Sequence, residues 1–95
     1  MPTRDSSELP AAGAAAAGLR HIVELTGKDS MGVTSVAPSD DGWTVDVEVV
    51  EDRRIPSAND VLALYEVRVD RAGTLLSYRR RSRYLRSRGN SGEGP

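Results

Sequence analysis

The feature that most constrains this chain is an eight-residue alternation, Trp43-Thr44-Val45-Asp46-Val47-Glu48-Val49-Val50. Trp43, Val45, Val47 and Val49 fall on one side of an extended backbone and Thr44, Asp46 and Glu48 on the other, the period of a strand with one buried face. An apolar layer must therefore cover the valine side. The 95 residues allow one small domain, and with no Phe, one Trp and three Tyr its core must come mainly from Val, Leu, Ile and Ala.

The covering layer is expected from the N-terminal half. The Ala run from Ala11 favours a helix, in which Leu19, Ile22, Val23 and Thr26 recur at the spacing of one face and Gly27 marks the stop. A short strand over residues 32–37 follows, then Ser39-Asp40-Asp41-Gly42 as hairpin turn chemistry into the alternating strand. Pro56 breaks the chain, so residues 53–60 read as a loop. Val61 to Val69 alternates again, with Ala63, Tyr65, Val67 and Val69 on one side. Asp70-Arg71-Ala72-Gly73 turns it, and a fourth strand runs from Thr74 to about Tyr84. A four-residue turn would set Val69 opposite Thr74, Val67 opposite Leu76 and Tyr65 opposite Tyr78.

The predicted fold is α+β: an N-terminal helix packed on one face of a four-stranded, mainly antiparallel sheet. Residues 1–10 and 89–95 lack an apolar period and are expected to be disordered tails around a single domain at 11–88.

Charge is divided along the chain. Residues 1–70 carry 6 basic and 13 acidic side chains, residues 71–95 carry 7 and 1, and net charges of −7 and +6 combine to the formal −1. A basic end on an acidic body suggests an acidic or polyanionic partner. In Tyr78-Arg79-Arg80-Arg81-Ser82-Arg83-Tyr84 a regular strand would turn both tyrosines to the core and Arg79, Arg81 and Arg83 outward. With Arg80, Arg86 and Arg88 these form a candidate basic surface for phosphate contacts. On the side opposite the helix, Val50, Leu62, Leu64 and Leu75 interrupt a polar face and form a candidate partner-binding patch. There, Leu64→Glu is expected to spare folding and weaken partner binding.

Enzyme readings lack parts. There is no Cys, and the lone His21 sits on the helix without a triad or a second imidazole, so it reads as structural. Asp46, Glu48 and Glu51 could be taken for a paired-acid or metal cluster, but alternation on a solvent-facing strand explains Asp46 and Glu48. No phosphate-binding glycine motif occurs, and neither a cofactor nor a small-molecule substrate is expected. The Ala/Gly stretch at 11–17 is too short and weakly apolar for a signal peptide or a membrane span, which points to the cytoplasm and away from a membrane partner.

One ordered set of segments is more specific: Val47 to Val67 (VEVVEDRRIPSANDVLALYEV), then Asp70, Gly73, Leu76 and the Tyr78–Arg86 run, with Trp43 and Leu25–Lys28 before them. Over roughly residues 19–88 the chain resembles the gas vesicle protein O family. The resemblance implies an accessory role in gas vesicle formation through contacts with other gas vesicle proteins, and brings no catalytic residue. It also implies, as the alternative, an influence on gas vesicle gene expression or transcript stability through nucleic acid. High charge argues against lining a gas-filled interior, so a position on the outer surface or in an assembly complex is expected.

Overall fold

The structure, a computed structural model, describes residues 8–88. Of the expected tails at 1–10 and 89–95, residues 1–7 and 89–95 lie outside the described residues, while residues 8–10 are described. One helix, α1 (Ala11–Thr26), precedes four strands, β1 (Ser30–Ser39), β2 (Gly42–Asp52), β3 (Val61–Asp70) and β4 (Leu75–Leu85), in an antiparallel sheet of order β1-β2-β3-β4. Short 3-10 turns at Ser57–Asn59 and Arg86–Arg88 sit after β2 and β4. This is the predicted α+β architecture.

The alternation at 43–50 does what its period requires. Val45, Val47 and Val49 are fully buried, as are Ala63, Val67 and Val69 on the same face of β3. Together with Tyr65, Ala14 and Ile22 they form the core. The helix stripe differs from the expected one: its buried residues are Ala14, Ala17, Gly18 and Ile22, while Val23 is 40% exposed. Small residues face the sheet because they let the helix sit close to it. A Cβ on Gly18 would come within 2.8 Å of the Val45 Cβ, so glycine there sets the helix-to-sheet distance. A thin core of valines against alanines and a glycine is how this chain closes without phenylalanine.

Gly27 ends α1 in the left-handed region at φ 69°, its N–H donating to the Val23 carbonyl at 2.9 Å. At the other end the Leu9 N–H donates to the Arg71 carbonyl at 2.7 Å, so the residues just before the helix are tied to the β3–β4 turn. His21 reinforces that tie from within the helix, donating from Nε2 to the Gly73 carbonyl at 2.9 Å. It is a structural histidine.

The hairpins differ in regularity. β1 and β2 close through a two-residue turn with Ser39 opposite Gly42, and Pro38 is accommodated because β1 is an edge strand. Residues 53–60 form the expected loop, with a cis Ile55–Pro56 peptide. β3 and β4 pair with two register shifts, and these correct the expected pairing: Val69 lies opposite Leu75, Val67 opposite Tyr78 and Tyr65 opposite Arg80. Leu76 and Arg81 are the extra residues at the two shifts. The Leu76 bulge brings Leu75 to the helix side while Tyr78 keeps its expected inward face, and the Arg81 bulge reverses the residues that follow it.

Candidate partner-binding surface

The bulge at Leu76 places Leu75 beside Val69, on the helix side, where it packs against the core. It was expected on the far face. Val50 and Leu62 are on the far face but only 6% and 4% exposed, and Leu64 beside them is half-buried. The four residues therefore do not make an exposed apolar patch.

What covers them follows from the second bulge. Beyond Arg81 the alternation is reversed, so Tyr84 points to the far face opposite Leu62 and Arg83 to the helix side opposite Ala63, each contrary to expectation. The Tyr84 hydroxyl donates to the Glu48 carboxylate on β2. A phenol that starts on β4 and reaches β2 must lie across β3, between positions 62 and 64. Arg81 crosses the same strand one step along and donates to Asp46 Oδ2 at 3.2 Å.

The same construction recurs along β4. Arg79 donates to Glu66 at 2.8 Å on the far face, and Arg80 reaches Glu51 at 3.2 Å. Past the strand end, Arg86 meets Asp60 at 2.9 Å. The side chains of Asp46 and Glu51 are only 14% exposed while their arginines are 45% exposed, so carboxylates lie low on the sheet beneath guanidinium groups. The acidic body and basic end of the sequence thus neutralise one another inside one sheet. The pairs of Arg79, Arg80 and Arg81 each contribute little to stability, about 0–1 kcal/mol, because those guanidinium ends are solvated. Asp46 and Glu51 each also retain a covered oxygen without a protein partner.

Of the expected basic surface, Arg79, Arg80, Arg81 and Arg86 are in ion pairs. Arg83 makes no ion pair among the described residues, and Arg88 is the last residue of the final 3-10 turn. Two features escaped the sequence reading: Asp60, buried at 1% exposure beside Arg54 and Arg86, and the Tyr84–Glu48 crossing. Neither has a local sequence signal, since Asp60 and Arg86 are 26 residues apart and Tyr84 depends on a bulge. Among the described residues no group of three or more His, Cys, Asp or Glu side chains is arranged to hold a metal ion, and no helix is long and apolar enough to cross a membrane.

A family model described as gas vesicle synthesis protein GvpO matches residues 1–90. The chain belongs to the gas vesicle protein O family. It is 46% identical over 67 residues to gas vesicle protein O of Streptomyces sp. (strain CB03234), covering 70% of this chain and 52% of that protein. It is 34% identical over 55 residues to gas vesicle protein O1 of Halobacterium salinarum, covering 58% and 46%. With gas vesicle protein O of Haloferax mediterranei it shares 36% identity over 50 residues, covering 53% and 36%. The chain thus spans about half the length, or less, of the curated relatives it matches. No solved structure matches it.

In this gas vesicle protein O domain the tyrosine crossing has a pH signature. Burial first, and then the hydrogen bond to Glu48, raise the Tyr84 phenol well above its ordinary 10.0. A raised folded-state value means that the stabilisation is complete below pH 10.0 and is lost as pH climbs from there through the folded value, because the unfolded chain ionises first. Tyr84→Phe keeps the ring over β3 and loses the bond. It is expected to cost about 1 kcal/mol at neutral pH and to flatten the alkaline loss of stability, which urea melts between pH 7 and pH 11 would read.

The far-face geometry also changes the expectation for Leu64. It lies opposite Glu48, with Glu66 two residues along its own strand and Asp46 opposite Glu66. Asp46 and Glu66 are paired with Arg81 and Arg79, so Leu64→Glu chiefly meets Glu48, which accepts from Tyr84, and should destabilise the domain by about 2 kcal/mol, whereas Leu64→Lys faces that acid and should cost less than half as much. Paired thermal melts of the two variants check this, and equal losses would show that the acids do not govern the site.

Proposed function

We propose that the chain is a non-enzymatic accessory protein of gas vesicle formation that acts through contacts with other gas vesicle proteins, in an assembly complex or on the outer vesicle surface in the cytoplasm. Membership of a gas vesicle synthesis family supports the process. The observation that favours protein contacts over nucleic acid is the pairing of Arg79, Arg80, Arg81 and Arg86 with Glu66, Glu51, Asp46 and Asp60. The carboxylates lie low on the sheet beneath these guanidinium groups, so much of the basic charge is already balanced before any phosphate arrives. A partner on the far face would meet Tyr84 and arginine stems, with Leu64 beneath them.

Deletion of the gene is expected to leave cells without vesicles or with defective ones, and normal vesicles would sink the reading. The nucleic-acid alternative rests on Arg83, without an ion pair among the described residues, and on the Arg79 side chain at 73% exposure. Two such contacts would give a shallow salt dependence, a slope of log K on log salt of about −1 to −2. A slope of about −5 on RNA or DNA would instead favour the regulator.

A further inference from the structure

The loop between β2 and β3 carries Ile55 at 99% exposure, the most exposed of the large apolar side chains among the described residues. Its backbone is nevertheless fixed on both sides. Asp60 Oδ1 accepts the Arg54 N–H at 2.7 Å, and Asp60 Oδ2 accepts the Arg86 guanidinium at 2.9 Å. The Arg86 N–H donates to the Asp60 carbonyl at 2.7 Å, and the Asn59 N–H donates to the Pro56 carbonyl at 2.9 Å. Residue 54 is therefore held through its N–H and residue 56 through its carbonyl, with the isoleucine between them.

The staple is also durable. The Arg54 N–H first, and then Arg86, hold the Asp60 carboxyl below its ordinary range, so it stays charged at neutral pH. An exposed isoleucine on a loop held in this way has its ordering entropy spent before any partner arrives, which is the condition for an efficient anchor. Arg53 and Arg54 precede it, with side chains 62% and 50% exposed, each in an exposed pair with an aspartate. Leu85, at the same end of the sheet, lies opposite Val61, and Arg83 stands two residues before it.

We propose that this loop is a protein-docking tip, in which Ile55 seats in an apolar pocket of a partner protein whose rim carries carboxylates facing Arg53, Arg54 and Arg83. The proposal rests on the reading that the chain acts through protein contacts and names the residue that makes the contact. A protein pocket is favoured over a lipid surface because stable membrane anchoring needs two strong signals, and one aliphatic side chain beside ion-paired arginines is less than that. Arg53 and Arg54 are paired with Asp29 and Asp52 in the free chain, but such exposed pairs are weak and exchange readily for a partner's carboxylates.

The test uses the full chain, with Ile55→Ala and Ile55→Asp, titrated against each other protein of its gas vesicle gene cluster produced singly. Ile55 has almost no packing to lose, so both variants should melt with the wild type. Affinity for the partner should fall about tenfold to a hundredfold with alanine and further with aspartate, while Leu25→Asp, on the exposed last turn of α1, binds normally. If the wild type binds a partner and Ile55→Asp binds it equally well, the docking tip is overturned and the protein-contact reading stands. If the wild type binds none of them, both are overturned. Flotation of the wild type with anionic phosphatidylglycerol vesicles, or a dimer in light scattering, abolished in either case by Ile55→Asp, would overturn the proposal in favour of a membrane or a second copy.

Discussion

Tyr65→Ala is expected to remove about 3–5 kcal/mol of stability, most of what a domain of this size possesses. Tyr65 is the largest side chain of a core otherwise built from valine, alanine and isoleucine, and it is 9% exposed. It stands on β3 between Val47 and Arg80, and its ring centroid is 6.4 Å from that of Tyr78 in a tilted contact. Removing the ring leaves a cavity that neighbouring valines, each held in a strand, are too short to fill. Tyr65→Phe separates volume from polarity: it keeps the ring and should stay within about 1 kcal/mol of the wild type. Tyr78→Ala is a second control, because at 43% exposure that ring has less to lose. Urea denaturation followed by circular dichroism orders the three. A Tyr65→Ala protein as stable as the Tyr78→Ala protein would mean that β3 presents its other face to the helix.

Gly42→Ala is expected to be as damaging, for the opposite reason. A Cβ at residue 42 would lie 2.0 Å from the Val69 carbonyl oxygen and 2.6 Å from both Cα and the carbonyl carbon of Asp70. These are backbone atoms and cannot swing aside. Gly42 is opposite Ser39 on one side and Asp70 on the other, so relief requires β2 and β3 to part at this end of the sheet. Parting would strain the β3–β4 turn, in which the Asp70 N–H donates to the Thr74 carbonyl and Asp70 Oδ1 accepts the N–H groups of Ala72 and Thr74, each at 2.9 Å. The expected loss is about 3 kcal/mol or more, at the upper end for overpacking. Gly27→Ala is the comparison: nothing lies within 4 Å of a Cβ there, and only the left-handed φ of 69° opposes the change, by about 1 kcal/mol. Similar melting temperatures for the two variants would contradict the close approach at Gly42.

The parts of this fold that were legible in the sequence are those with a period or a stop. Val45, Val47 and Val49 faced inward as their alternation required, and Gly27 ended the helix where its lack of a Cβ suggested. The helix stripe was only partly placed: Ile22 is buried and Leu19 packs on the core, but bulk was taken as the mark of burial. Against a sheet of valines, the helix needed Ala14, Ala17 and Gly18 to come close, and Val23 was left at the margin. The candidate surface was lost at two residues. Leu76 and Arg81 are bulged, and a bulge leaves no trace in the hydropathy pattern, yet it moved Leu75 into the core, Tyr84 to the far face and Arg83 to the helix side. The charge asymmetry was legible, but its destination was not. That the arginines of one strand would meet the carboxylates of its neighbours depends on register, which strict alternation assigned wrongly.

A gas vesicle protein O domain whose Arg79, Arg80, Arg81 and Arg86 pair with its own carboxylates is expected to bind proteins rather than nucleic acid. The most direct measurement is retention of each purified protein of its gas vesicle gene cluster on the immobilised chain at physiological salt, before and after nuclease treatment. At least one of them should be retained, in fixed ratio and unchanged by nuclease. Retention of none, or retention that disappears when nucleic acid is digested, would contradict it.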